Sequence, residues 1–232
     1  MSAEDRVENR FFIGMALIIL FLVLCGFGPT YYWRAEEAYG PLDPLYGRHG
    51  IAYSIWFTLF VVQAGLIGAN KHQIHMGLGI LSLIVVAMML WTGLGVAVDS
   101  YQRGVAPPPM GRAGFQFLTL SDLFVFALLY GLGIANRERP DHHKRFMLVA
   151  SISILMPATA RWMQNALNEG LWGAGIVVML LALVAFFDWK QRRSLHRATM
   201  IAGGAELVKL AITMPVATSD TWARFIEAIY PA

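Results

Sequence analysis

Long apolar stretches, separated by short charged segments, recur along the whole chain and constrain its fold more than any other feature. A helix needs about 20 residues to cross roughly 30 Å of hydrocarbon. The composition agrees, because 57% of the residues are hydrophobic and 14% are charged, whereas a soluble domain is about a quarter charged. We therefore predict an all-α, polytopic transmembrane bundle that forms one domain over residues 1–232. Its seven helices are expected at about 11–29, 51–69, 77–98, 115–135, 146–160, 171–188 and 198–213.

The segments outside these helices carry their own signals. No small-residue cleavage pattern follows the mixed-charge start "MSAEDRVENR", so the first apolar stretch is interpreted as a membrane helix and not as a secretion signal. The outer connection "YQRGVAPPPMGR" is too rich in proline to be helical. Near the end, Ser219 or Asp220 is a candidate cap for a short surface helix at about 220–229. Its apolar face would hold Trp222, Phe225, Ile226 and Ile229.

The basic residues predict the orientation of the bundle. Alternate ends of the spans hold eleven Lys and Arg residues against six, which places the amino terminus in the cytoplasm and, with seven helices, the carboxyl terminus outside. The eleven are Arg6, Arg10, Lys71, Arg137, Arg139, Lys144, Arg145, Lys190, Arg192, Arg193 and Arg197; the six are Arg34, Arg48, Arg103, Arg112, Arg161 and Arg224. These cations lie in short loops and not in one patch, so nucleic acid is not expected as a partner.

One plan is repeated three times after the first helix. "GLIGANKHQIHMGLGILSL" (65–83), "GLGIANRERPDHHKRFMLVAS" (131–151) and the looser "FFDWKQRRSLHRATMIAGG" (186–204) each join a helix end, a basic loop, a histidine and the next helix. This pattern predicts one leading helix plus three tandem hairpins. It sets His75, His143 and His196 at one predicted depth. Histidines beside cations at cytoplasmic helix ends also follow from topology alone, so the clustering supports a site without requiring one.

Imidazole is the commonest metal ligand, and ligands must converge from different helices to form a site. Two of these three histidines could bind a haem b iron axially, or all three could hold one transition-metal ion such as Zn, Cu or Fe. His49 is a further candidate cofactor ligand.

Charged side chains inside the spans form a second set of candidates, because charge in the bilayer is expensive. Asp122 lies inside the fourth helix, Arg161 ends the fifth and His49 opens the second, all toward the outer side. We expect an Asp122–Arg161 ion pair, with His49 completing a network or an outward-facing cavity. Glu206 and Lys209 are three residues apart on the last helix and are expected to pair.

Two expectations follow for Lys209. Pro215 should end its helix soon after Thr213, which would bring Lys209 within reach of the outer interface. A retinal Schiff base on this lysine is disfavoured, since the third helix offers no carboxylate as counter-ion.

The motifs resemble a widespread group of bacterial multi-helix inner-membrane proteins. The likeness covers nearly the whole chain and is carried by "HGIAYSIWFTLFVVQAGLI", "HQIHMGLG", "HHKRFMLVASISILMPATAR" and "LHRATMIAGGAELVKLAI". In that group, histidines open the second, third and fifth helices and an arginine ends the fifth, which corresponds to His49, His75, His143 and Arg161. This chain departs at Met76 and Lys209, where the group has arginine. The resemblance implies a fold and a bacterial plasma-membrane location, but no activity.

Three functions fit these observations. The first is a redox protein that binds haem or a metal, which is also the function of the cytochrome b561 group and haem A synthase, similar to this chain in layout only. The second is a non-catalytic accessory subunit or assembly factor that contacts lipid and other membrane subunits. The third is a transporter whose polar pathway uses Asp122, Arg161, His49 and Lys209.

Overall fold

The computed structural model describes residues 3–106, 110–170 and 172–230, and within these ranges every regular element is a helix. The predicted all-α fold class is confirmed. The helices are α1 (Ala3–Phe27), which a π-helical turn at Gly28–Tyr32 continues, α2 (Glu36–Tyr39), α3 (Pro44–Gly68), α4 (His72–Gln102), α5 (Arg112–Ala135), α6 (Pro140–Ser153), α7 (Met156–Leu167), α8 (Trp172–Arg192), α9 (Arg197–Ala217) and α10 (Asp220–Ile229). The prolines at 107–109 and the predicted helix start at 171 lie outside the described ranges.

Six helices in these ranges are long and apolar enough to cross a membrane, and α6 with α7 adds a seventh if the pair forms one span. The chain is therefore an integral membrane protein with several spans. The inner end of the bundle is defined here by the α3–α4, α5–α6 and α8–α9 connections, and the outer end is the opposite one. That the inner end faces the cytoplasm stays a prediction.

The fifth predicted span, 146–160, is wrong as a single helix. It is two helices, α6 and α7, which meet at an angle of 46°. Pro157 lies in the first turn of α7, where its ring removes the N–H that would bond to the carbonyl four residues earlier. That carbonyl belongs to Ser153, the last residue of α6. The proline thus accounts for the position of the break.

The segment 145–153 of α6 is the centre of the bundle. Every residue from Arg145 to Ser153 is buried, and α6 contacts α1, α5, α8 and α9. The predicted α3–α4 and α5–α6 hairpins pack along their lengths, whereas α8 contacts α7 more extensively than it contacts α9. Helix α9 instead packs against α5 and α6. Because α9 lies against α5 and α6 and has few contacts with α8, its buried charged side chains contact residues of α5 and α6.

The end of the chain agrees only in part with the sequence-based expectation. Pro215 lies inside α9 and does not end it. Helix α10 forms at its predicted position, with Ser219 as its cap and Trp222 as the donor. Its apolar side chains are divided between two environments, since Ile226 is buried while Phe225 and Ile229 are exposed. The Trp222 indole donates to the carbonyl of Ala113 on α5, so α10 is fixed to the outer end of the bundle.

Candidate functional site

A cavity of about 530 Å³ enters the bundle from its outer end. Its wall is built from the end of α1, the π-helical turn, α3, α4, α5 and the α6–α7 break. Much of the wall is aromatic, with Phe27, Tyr31, Tyr46, Tyr53 and Phe115 among its residues. A volume of this size suits a small molecule, because ligand pockets measure about 300–1,000 Å³ and are lined mainly by apolar and aromatic groups.

The three polar residues that the sequence placed near the outer side all line this cavity, namely His49, Asp122 and Arg161. The expected Asp122–Arg161 ion pair does not form. Asp122 instead accepts from Lys209, whose Nζ lies 2.5 Å from Asp122 Oδ1. The prediction failed because α9 packs directly against α5, which gives the carboxylate a closer cation than the one on α7.

Lys209 is the centre of a buried charge cluster, the Asp122–Lys209–Glu206 triad. Its Nζ also lies 2.8 Å from Glu206 Oε1, as the spacing on α9 predicted. The exposed fractions of Asp122, Glu206 and Lys209 are 6%, 0% and 3%. Lys209 therefore does not reach the outer interface, contrary to expectation. Its charge is balanced inside the bundle, where buried charges need partners.

The triad is joined to the break between α6 and α7. Lys209 Nζ donates to the Ser153 carbonyl at 3.1 Å. This is the carbonyl that lost its helical partner to Pro157, and a buried carbonyl without a partner is costly. In membrane proteins, irregular backbone at depth occurs where protein buries it or where it lines a water-filled cavity. The break is buried by the bundle, and Ile154 and Pro157 within it also line the cavity.

Two cavity groups have hydrogen-bonding capacity that the bundle does not use. The Arg161 guanidinium donates only to the Pro157 carbonyl, at 3.3 Å, and lies 4.8 Å from the Phe27 ring, with no carboxylate partner among the described residues. The His49 ring packs against the Tyr53 ring, with centroids 4.2 Å apart and a tilt of 35°, and its Nδ1 is buried without a hydrogen-bond partner. Arg161 and His49 are therefore available to a ligand.

The carboxylates at the cavity mouth are already paired. Arg103 binds Asp43 at 2.7 Å and Asp99 at 2.8 Å, and Tyr46 donates to Asp99. The backbone N–H of Leu45 and the Arg103 guanidinium hold the pKa of Asp43 below its usual value. Both carboxylates thus already have a cation and donors, whereas Arg34 and Arg161, the other two arginines on the wall, have no carboxylate partner among the described residues.

The inner-end histidines form two pairs and not one three-histidine cluster. The rings of His75 and His143 have centroids 6.2 Å apart, and those of His142 and His196 are 4.6 Å apart. Within residues 3–106, 110–170 and 172–230, no group of three or more His, Cys, Asp or Glu side chains could hold a metal ion. His196 is also engaged elsewhere, since its Nδ1 accepts the N–H of Ala198 and caps α9.

A second buried ion-pair network at the inner end was missed by the sequence analysis. Arg145, which is fully buried, donates to Asp188 Oδ1 through Nε at 2.9 Å and Nη2 at 2.6 Å, and to Glu8 at 3.2 Å. Thr199 and the backbone of His196 donate to the other Asp188 oxygen. This network links α1, α6, α8 and α9. The available signal was Asp188, an acid directly after the apolar run of the sixth predicted span.

Comparison of the chain with protein-family models, with curated proteins and with solved structures gave no match. The resemblance to a bacterial membrane-protein group therefore stays a prediction. Proposals about function depend on the cavity, the triad and the histidine pairs themselves.

Proposed function

We propose that this protein is a membrane transporter that binds a small organic anion in its outer cavity. The main support is one juxtaposition: the cavity reaches the break between α6 and α7, where the Asp122–Lys209–Glu206 triad lies. Discontinuous helices beside buried charges are the usual place for substrate and coupling-ion sites in secondary transporters. The predicted bacterial plasma-membrane location is compatible with this role and is part of the proposal.

The chemistry of the cavity wall supports the choice of an anion. The Arg161 guanidinium has no carboxylate partner among the described residues, and such a group binds carboxylates through two parallel hydrogen bonds. Arg34, also on the wall, donates only to backbone carbonyls among the described residues. The aromatic side chains around them would hold an apolar or aromatic body. A monocarboxylate with such a body is the proposed substrate class.

The binding step can be tested by thermal unfolding of the detergent-purified protein with benzoate, hexanoate and the neutral analogue benzamide. The carboxylates should raise the unfolding temperature and benzamide should not. Arg161→Gln should weaken the binding of benzoate by about 10- to 100-fold, since a hydrogen bond to a charged group contributes roughly 1.5–3 kcal/mol. Arg112→Gln is the matched control, because Arg112 is an exposed outer-end arginine that stacks on Tyr101 outside the cavity wall. Equal stabilisation by benzamide, or unchanged benzoate binding in Arg161→Gln, would refute the proposal.

We also propose a second candidate function, metal binding by His75 and His143. Two imidazoles that share one ion at about 2.0 Å each have ring centroids roughly 5 Å apart in tetrahedral geometry and roughly 6.4 Å apart when they lie opposite each other. The 6.2 Å observed between His75 and His143 falls in this range, near the opposed arrangement. His143 Nδ1 lies 2.9 Å from the Gly133 carbonyl. A carbonyl only accepts, so the proton is on Nδ1 and Nε2 keeps its lone pair. The Nδ1 of His75 is buried without a partner.

Elemental analysis and an absorption spectrum of the same purified sample test this second function. Stoichiometric metal that is lost in His75→Ala and His143→Ala, but kept in the exposed control His72→Ala, would support it. A Soret band would identify the metal as haem iron. A metal-free, colourless protein would exclude it.

A further inference from the structure

We infer that the Asp122–Lys209–Glu206 triad holds one exchangeable proton, which it takes up and releases through the outer cavity. The inference deepens the proposed transport function, on which its physiological role rests, because it names the proton as the coupling ion.

Charge counting supports one bound proton. The triad contains two carboxyl groups and one ammonium, so its net charge would be −1 if all three were ionised. Among the described residues, Lys209 is the only cation in ion-pair contact with Asp122 or Glu206. An uncompensated charge at this depth is costly, and a buried carboxyl avoids that cost by keeping its proton. One proton makes the triad neutral.

The hydrogen bonds assign this proton to Glu206. Asp122 Oδ1 accepts from Lys209 at 2.5 Å. Glu206 is fully buried, and apart from its ion-pair contact with Lys209 neither of its oxygens accepts a hydrogen bond from a described residue. A carboxylate without donors is the less stable of the two ions, so Glu206 holds the proton while Asp122 stays ionised.

No other charged side chain among the described residues is in ion-pair contact with the triad. Helix α5 contributes Asp122 itself, and α6 contributes the neutral Ser153 carbonyl. From α3 and α7, the titratable groups on the same cavity wall are Tyr46, His49, Tyr53 and Arg161. Helices α8 and α10 place no described charged side chain in ion-pair contact with Glu206 or Lys209.

Asp122 provides the route between the triad and water, since it is the member that lines the cavity. Lys209 Nζ contacts both carboxyl groups, so it can pass a proton to Asp122 while Glu206 passes its own proton to Lys209. This leaves Asp122 protonated, Glu206 ionised and the triad neutral. Asp122 then releases the proton to water in the cavity, and uptake reverses these steps, so the net charge of the triad alternates between 0 and −1. If a monocarboxylate enters the cavity with each proton, the translocated charge sums to zero.

Infrared spectroscopy of the purified protein tests the proton directly. At neutral pH the wild type should show the carbonyl stretch of a buried, protonated carboxylic acid, which shifts when water is replaced by D₂O. Glu206→Gln should lose this band, whereas Glu227→Gln, which alters an exposed glutamate of α10, should keep it. Absence of the band from the wild type, or its persistence in Glu206→Gln, would overturn the inference. If Glu206→Gln does not fold, ¹³C-glutamate labelling of the wild type replaces it: the band must shift with the label, and a band that does not shift overturns the inference.

Proteoliposomes separate this inference from the transport function. Benzoate uptake by the wild type should increase when the outside is made more acidic than the lumen, and that increase should be lost in Glu206→Gln. Uptake that ignores the proton gradient in the wild type would contradict the role of the triad while leaving anion transport intact. A Glu206 band that exchanges in D₂O without any carboxylate binding would instead refute the proposed transport function and leave the proton site standing.

Discussion

Removing the Lys209 ammonium should destabilise the bundle more than removing either of its carboxylate partners. In Lys209→Met, the ionised Asp122 carboxylate has no cation, and the Ser153 carbonyl loses its donor. The Lys209 and Asp122 side chains are 2% and 8% exposed, so water compensates little. Breaking a buried pair by removing one partner costs about 3–5 kcal/mol. Asp122→Asn should cost less, because Lys209 keeps Glu206, and Glu206→Gln least of all.

A double-mutant cycle in detergent checks this reasoning. The free energy of unfolding is measured for the wild type, Asp122→Asn, Lys209→Met and the double variant, under conditions in which unfolding is reversible. Because Asp122→Asn removes the charge that Lys209→Met leaves unpaired, the double variant should lose less than the sum of the singles, with a coupling of about 0.5–3 kcal/mol or above. If the two losses of unfolding free energy are additive, or if Lys209→Met is as stable as the wild type, the Asp122–Lys209 ion pair does not contribute the predicted stability.

Three further predictions concern other parts of the bundle. Gly26→Ala should destabilise the α1–α7 contact, because the new methyl would overlap the α7 backbone, and Gly14→Ala, in open space on the same helix, is the control in thermal unfolding. Arg145→Met should cost about 3–5 kcal/mol, since the buried carboxylate of Asp188 loses its cation; an unchanged unfolding temperature would contradict this. Burial lowers the pKa of His196 to about 4. As the pH falls below about 6.5, His196 is therefore protonated in the unfolded chain before it is protonated in the folded protein, and the stability of the folded protein should decrease until about pH 4. His196→Asn keeps a capping side chain and should flatten that pH profile.

The positions of the spans were predictable because length and hydropathy decide them. The predicted third helix, 77–98, lies wholly within α4, and the structure adds residues at both ends. The added residues are more polar, so a search for apolar stretches leaves them out. The backbone hydrogen bonds of the helix nevertheless continue through them. The break between α6 and α7 had a local signal in Pro157, whose missing N–H affects a residue four positions earlier. The packing of α9 against α5 had no such signal, because it depends on contacts between segments remote in sequence.

The site was predictable residue by residue but not pair by pair. Asp122, Arg161, Glu206 and Lys209 stand out in the sequence because charge inside a span requires compensation. Which charges compensate one another depends on the rotation and neighbours of each helix. Asp122 and Lys209 are 87 positions apart, and no periodicity relates them. Spacing along the sequence correctly predicted the Glu206–Lys209 ion pair, because these two residues lie on one face of the same helix.

The helix break and the triad are best explained as one structural unit. Pro157 leaves the Ser153 carbonyl without a backbone donor, and at this depth only a side chain or trapped water can replace it. Lys209 supplies that donor at 3.1 Å, but a buried ammonium requires a carboxylate, which Asp122 provides. Because Asp122 lines the cavity, a change in its charge alters the ion pair that holds Lys209 on the Ser153 carbonyl. Protonation at the cavity floor and the geometry of the broken helix are therefore coupled through a single side chain.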